Sequence, residues 1–239
     1  RSMRLSGAVM VWSSEQIIEK GKKIAAHVLE AAVDDIDFKE GTFSVKGTDR
    51  SIGIFDIARK ANSDEVPEDL RGPLKGQHHL DRRLPAYPSG AAICEVEIDP
   101  ETGKVQIDRY STVDDVGQVI NPLVVHGQVH GGIVQGAGQI IGENAIYEEG
   151  TGQLLAGSFL DYQMPRADEY PSFKVEAHEV MSPSNPLGVK GAGEGGTVPA
   201  LATVTNAVVD ALSRYGVKHV EMPVTPERIW RIINGAKTA

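Results

Sequence analysis

Apolar positions recur along this chain at two spacings. From about residue 12 to 33, Ile17, Ile18, Ile24, Ala25, Val28, Leu29 and Ala32 fall on one side of a helix, with Glu15, Lys20, Lys22 and Lys23 elsewhere. Ser13 or Ser14 is the expected N-cap. Ile36–Phe38 and Thr42–Val45 read as a short strand pair turning at Glu40-Gly41, and Ile54 to Ala61 as a short helix. Between Asn62 and Pro88 the pattern lapses into prolines and charges, which predicts a loop or linker. Strict alternation returns from Ala91 to Asp114: Cys94, Val96 and Ile98, then Val105, Ile107 and Tyr110, around the turn Asp99-Pro100-Glu101-Thr102-Gly103. Asn121-Pro122 reads as cap and first turn of a helix running to about Ile141. Ala145–Tyr147 and Gln153–Ala156 suggest a second hairpin, and Phe173 to Val180 a strand. Leu201, Val204, Val208 and Leu212 mark another helix, with Pro199 in its first turn. Thr225 or Pro226 opens a last one. Hairpins and long connections, without regular βαβ alternation, predict an α+β fold with mixed or antiparallel sheets and packed helices.

The long helix carries Gly127, Gly131, Gly132 and Gly136. Glycines cost helix stability, so close approach of another backbone or a ligand is the expected compensation. Gln128 is the polar residue among them. His126 and His130 stand four apart, a legitimate ligand spacing, but a zinc-protease helix needs Glu where this chain has Gly127. Asp114 and Asp115, adjacent in a strand, face opposite ways and make no acid/base pair; one of them is expected to order the loop that follows.

The densest stretch is NPLGVKGAGEGGTVPA, residues 185–200. One carboxylate, Glu194, sits on a bare loop running into a helix. It reads either as a charge at the positive end of that helix or as a functional group. Gly191, Gly193 and Gly196 also match G-x-G-x-x-G, but no apolar strand precedes them and Asp210 comes too early for the ribose-binding acid.

Composition narrows the classes. Of 239 residues, 41% are hydrophobic, the formal net charge is −9 and no basic block occurs, which argues against nucleic acid or an anionic membrane surface as partner. No apolar run reaches the roughly 18 residues of a membrane helix. Cys94 is the single cysteine, so neither an internal disulfide nor a cysteine-held iron–sulfur cluster can form, and a cytoplasmic location is expected.

Taken together, NPLGVKGAGEGGTVPA with NAVVDAL, GAAICEVEIDPETGKVQIDRYSTVDDVGQVINP, HGQVHGGIVQGAGQ, GSFLDYQMPRADEYP and MPVTPERIWRII resemble the C-terminal part of the molybdenum hydroxylases, the xanthine dehydrogenase and aldehyde oxidase family, in its carbon-monoxide-dehydrogenase-like large subunits. The resemblance implies oxidation of an aldehyde, N-heterocycle or similar small substrate with water-derived oxygen. It implies Glu194 as catalytic base beside molybdenum, Gln128 as a pterin contact, Gly193 at the cofactor, and Arg1 and Ser2 at the end of another cofactor loop. No protein side chain is expected as a metal ligand. The cofactor implied is a molybdenum–pterin, plain or in its cytosine-dinucleotide form, with iron–sulfur and FAD groups on partner subunits. The partners implied are the upstream half of the large subunit and those two subunits. Residues 1–61 would complete an upstream subdomain, 62–88 would link, and 89–239 would carry the glutamate loop. A nucleotide-binding protein using Gly191–Gly196, or a non-catalytic subunit of such a complex, stands as the alternative.

Overall fold

In a computed structural model, described over residues 2–81 and 84–235, the chain divides between Leu84 and Pro85 into two units. In the first unit a π-helical start, Met3–Gly7, runs directly into helix α1 (Ala8–Val28), so Ser13 and Ser14 lie inside the helix and do not cap it. A three-stranded antiparallel sheet follows, β1 (Ile36–Lys39), β2 (Thr42–Val45) and β3 (Ser51–Gly53), then helix α2 (Ile54–Lys60). Glu40 and Gly41 both take positive φ, 49° and 78°, as a two-residue hairpin turn requires. Phe43 is fully buried, and its ring lies where Gly21 of α1 has no side chain: a Cβ there would stand 2.3 Å from the ring. The proline- and charge-rich stretch is anchored to this core by Val66, 1% exposed. It then returns along α1, where Lys20 donates to the Gly72 carbonyl at 3.1 Å and the Gln77 N–H to Gln16 at 3.0 Å.

The second unit is built on strands β4 (Ser89–Ile98), β5 (Val105–Asp115) and β6 (Lys174–Ala177). β4 and β5 form the expected antiparallel hairpin; β6 pairs with β5 in parallel, so the sheet is mixed and the fold is α+β. Asp99 shapes the hairpin turn by accepting from the Glu101 N–H at 2.9 Å and the Thr102 hydroxyl at 2.6 Å. One irregularity matters for the site. Glu95 pairs with Arg109 and Val96 with Ile107, leaving Asp108 as an extra residue. This bulge shifts the phase of β5: Val105 and Ile107 point inward before it, Tyr110, Thr112 and Asp114 after it.

Helices α3 (Pro122–Ile141), α4 (Thr197–Leu212) and α5 (Pro226–Ile233) complete this unit. Asn121 caps α3, its side chain accepting from the Val124 N–H at 3.3 Å. Val129, Ile133, Ala137 and Ile140 of α3 meet Ala200, Val204, Val208 and Leu212 of α4 in one core. The glycines explain how closely the two helices lie. A Cβ on Gly132 would stand 2.9 Å from Thr197 N, and one on Gly136 2.6 Å from Thr197 O. Gly127 and Gly131 have no atom within 4 Å of that position. The hairpin expected at 145–156 reduces to a single bridge, Tyr147 with Leu154, closed by the Glu148–Gly152 turn and by the Leu155 N–H donating to Ile146 O at 2.7 Å.

Tyr110 is 1% exposed; its hydroxyl, near Thr203, makes no hydrogen bond among the described residues, and burial pushes its pKa up to about 12. Tyr110→Phe therefore removes a buried group that gains nothing from the fold. Denaturant unfolding should find the variant as stable as the parent or up to about 1 kcal/mol more stable.

Candidate functional site

The glycine-rich loop is held from below by Asp115, at the end of β5. Its Oδ1 accepts from the N–H groups of Gly117 at 2.9 Å and Val180 at 3.1 Å, and its Oδ2 pairs with the Lys190 ammonium. The Asp115 and Lys190 side chains are 11% and 15% exposed. Partial burial pushes the Asp115 carboxyl up, but Lys190 and the two N–H donors outweigh it, and the carboxyl ends below the usual range. Through Gly117, Asp115 orders the loop after β5, the role expected of one of the two adjacent aspartates, and through Lys190 it ties the glycine-rich loop to that strand end. Backbone bonds finish the anchoring. Lys190 N–H donates to Val116 O at 2.8 Å, Gly191 N–H to Ala86 O at 3.0 Å, and Asn185 brackets Val189 with two side-chain bonds. A Cβ on Gly117 would stand 2.1 Å from Gly188 O, so only glycine fits that crossing.

Gly196 ends the loop against α3, where a Cβ would meet Val129 O at 2.3 Å. Between these fixed ends the loop stands open. Gly193 is exposed with no atom within 4 Å of its Cβ position, and Glu194 is exposed beside it. The Glu194 carboxylate makes no hydrogen bond or ion pair among the described residues, and no side chain caps the start of α4. Gln128 Nε2 donates to the Gly193 carbonyl at 2.9 Å. Three sequence-predicted residues, Gln128, Gly193 and Glu194, therefore come together although 65 positions separate the bonded pair.

A cavity of about 570 Å³ opens beside the loop, lined by Tyr87, Pro88, Gly90, Asp114, Glu194 and Val198 among others. Gln128 is not on its wall; it joins the site through Gly193. Asp114, which the sequence reading offered only as one of two candidates to order the loop after β5, is. Arg1 lies outside the described residues, and Ser2 stands at the helical start of the first unit. His126 and His130 have ring centroids 6.1 Å apart, and the described residues contain no group of three His, Cys, Asp or Glu able to hold a metal. A turn, Ser182–Gly188, stands where a dinucleotide fingerprint would need its strand.

These residues suit a metal that arrives inside an organic cofactor. The bare loop leaves room for a flat group at Gly193, one amide side chain reaches the loop, and next to it stands a carboxylate with no partner among the described residues. A second cavity, of about 340 Å³ and at the other end of α3, is lined by Lys104, Gly142, Gln163 and Arg166 and contains none of the sequence-predicted residues.

Residues 1–171 match the family described as the molybdopterin cofactor-binding domain, a stretch that includes Gln128 and stops short of Glu194. The carbon monoxide dehydrogenase large chain of Hydrogenophaga pseudoflava is 36% identical over 97% of this chain and 29% of its own length. The nicotine 6-hydroxylase large subunit of Paenarthrobacter nicotinovorans is 37% identical over 98% of this chain and 29% of its own. Among solved structures, reconstituted CO dehydrogenase from Oligotropha carboxidovorans superposes with a TM-score of 0.90 at 32% identity, covering 98% of this chain and 29% of that one. Quinoline 2-oxidoreductase from Pseudomonas putida 86 does so at 0.85 and 32%, covering 94% and 29%. This chain thus spans under a third of the length of these relatives.

Proposed function

This chain belongs to the molybdopterin cofactor-binding domain family, and from that premise we propose that it forms the glutamate-loop part of a molybdenum-dependent hydroxylase. The observation that carries the reading is the meeting of Gln128, Gly193 and Glu194 at one open loop. When bound, the molybdenum–pterin cofactor supplies the two-electron and oxygen-transfer chemistry; the protein supplies a seat and a base. Gln128 fixes the loop through the Gly193 carbonyl and has a second amide atom left for the cofactor. Glu194 accepts a proton at its carboxylate, which no neighbour among the described residues neutralises. The Asp115–Lys190 pair holds the loop so that Glu194 stays at the cavity.

The substrate in this proposal is small and electron-poor at the carbon attacked: an aldehyde or N-heterocycle, the class to which the relatives acting on nicotine and quinoline point. Its partners are the remainder of the large subunit and subunits bearing iron–sulfur and FAD groups, and the cofactor's cytosine-dinucleotide form belongs to the same proposal. The cytoplasm is the proposed location; among the described residues no helix is long and apolar enough to cross a membrane.

Gln128→Ala in the complete enzyme tests the seat. Losing one hydrogen bond to a cofactor group should lower molybdenum per polypeptide by about tenfold, while turnover per molybdenum falls much less. Elemental analysis beside an activity assay reads both. Full molybdenum in that variant would remove Gln128 from the site.

A further inference from the structure

Two carboxylates line the cavity beside the loop, and the reading above uses only Glu194. The other, Asp114, is 8% exposed. Its Oδ2 takes the Thr112 hydroxyl at 3.1 Å. Among the described residues its Oδ1 has no partner. Space for that oxygen is made by the facing strand. Asp114 pairs with Gly90, and a Cβ on Gly90 would stand 2.7 Å from Oδ1. The β5 bulge turns Asp114 inward, while its neighbour Val113 is 44% exposed.

Such a placement is costly for the empty protein. Burial raises the Asp114 pKa, the Thr112 hydroxyl offsets only part of this, and no cation answers the charge among the described residues. Asp115, one residue on, has Lys190 and two N–H donors. A buried acceptor with a free oxygen on a cavity wall calls for a donor from whatever fills the cavity.

We propose that Asp114 is a binding residue whose free Oδ1 accepts from an N–H or amino group of a nitrogen heterocycle in the cavity beside Glu194. Two sources present that chemistry: the aminopyrimidinone edge of the pterin and a heteroaromatic substrate. The inference rests on the cavity being the cofactor and substrate site. It adds a recognition group that selects donor-bearing rings; Glu194 acts on protons.

The test is Asp114→Asn in the complete enzyme. Asparagine keeps the shape but can present an amino group where the ligand's donor needs an acceptor. Pterin per polypeptide is measured by fluorescence after oxidative release, and binding of isocytosine, a ring with adjacent N–H and amino donors, by calorimetry on the loaded enzyme. Thermal melting of the same samples without added ligand is the third readout. A residue kept for the fold would lower the melting temperature when changed. A residue kept for a ligand should leave it level or raise it while ligand retention falls about tenfold or more.

A drop in pterin identifies the cofactor as donor; full pterin with weakened isocytosine binding identifies the substrate. Full pterin with unchanged isocytosine binding overturns the proposal. Should Asp114→Asn fail to fold, Thr112→Val decides, since it keeps the carboxylate and removes its one tether: a threefold or larger loss of either ligand supports the role, and no loss overturns it. Gln128→Ala in the same series separates the layers. If it too keeps full pterin, Gln128 leaves the site together with the reading that rests on it, and isocytosine alone judges Asp114. If it loses pterin while Asp114→Asn loses neither ligand, only the inference about Asp114 falls.

Discussion

Glu194→Gln in the complete enzyme should lower turnover by about 10²–10⁴-fold, the usual contribution of a positioned general base. Folding and molybdenum content should stay close to those of the parent. The geometry supports both halves of this expectation. Glu194 is exposed on a loop whose anchors lie elsewhere, at Asp115, Asn185 and Gly196, and its carboxylate holds no bond that glutamine would break among the described residues. Glutamine matches its shape and still accepts a hydrogen bond, but it cannot take a proton. The fall should appear in anaerobic reduction by substrate, with re-oxidation unchanged. Were Glu194 only a charge near the start of α4, the substitution would cost under about 1 kcal/mol of stability and little activity. A fully loaded variant reduced by substrate at the parent rate would settle for that role.

Lys190→Met should cost about 3 kcal/mol of stability, because it leaves the Asp115 carboxylate poorly exposed and without its cation. Asp115→Ala should cost at least as much. It frees the Lys190 ammonium and also strips the Gly117 and Val180 N–H groups of their acceptor, each worth about 1–3 kcal/mol when left unsatisfied. Urea unfolding of both variants checks the size and the order, and Asp115→Ala proving the milder would refute this account of the anchor. The sign of the pH dependence follows from the lowered Asp115 pKa. A carboxyl depressed in the fold adds stability above its unfolded pKa and loses it as pH falls through the folded value. The anchor should thus hold through mild acid and fail only below the ordinary carboxylate range. Asp114 runs the other way: its raised pKa means that its stabilising part is present when protonated and is lost as pH rises.

Local chemistry was legible in the sequence. The Asn121 and Thr225 caps, the Glu40-Gly41 and Asp99–Gly103 turns and the glycines of α3 each announce themselves within a few residues. The glycine argument was legible by half. Gly132 and Gly136 are accounted for by α4, while at Gly127 and Gly131 the expected close neighbour is not present in this chain. What the sequence hid depends on long-range packing. Lys190 meets Asp115 across 75 positions with no motif joining them. Helix α1 passes straight through Ser13, and the 71–78 stretch lies along it: Gly76 sits so close that a Cβ would be 1.8 Å from Ser13 O. Asp114 was passed over because strict alternation from Val105 puts odd-numbered residues inside, and no glycine or proline marks the bulge that reverses this.

That bulge gives chain length a meaning of its own on β5. Asp108 and Arg109 are both turned outward, and Asp108 is the residue that the pattern of faces does not need. Deleting it would set Ile107 against Val96 and Arg109 against Glu95 in plain alternation and leave Tyr110, Thr112 and Asp114 facing inward. The carboxyl wall of the site would survive a frame-preserving loss of that one codon, about six residues away along the strand, whereas drawing Asp108 back into regular pairing would offer the Val113 side chain to the cavity and the Asp114 carboxylate to water.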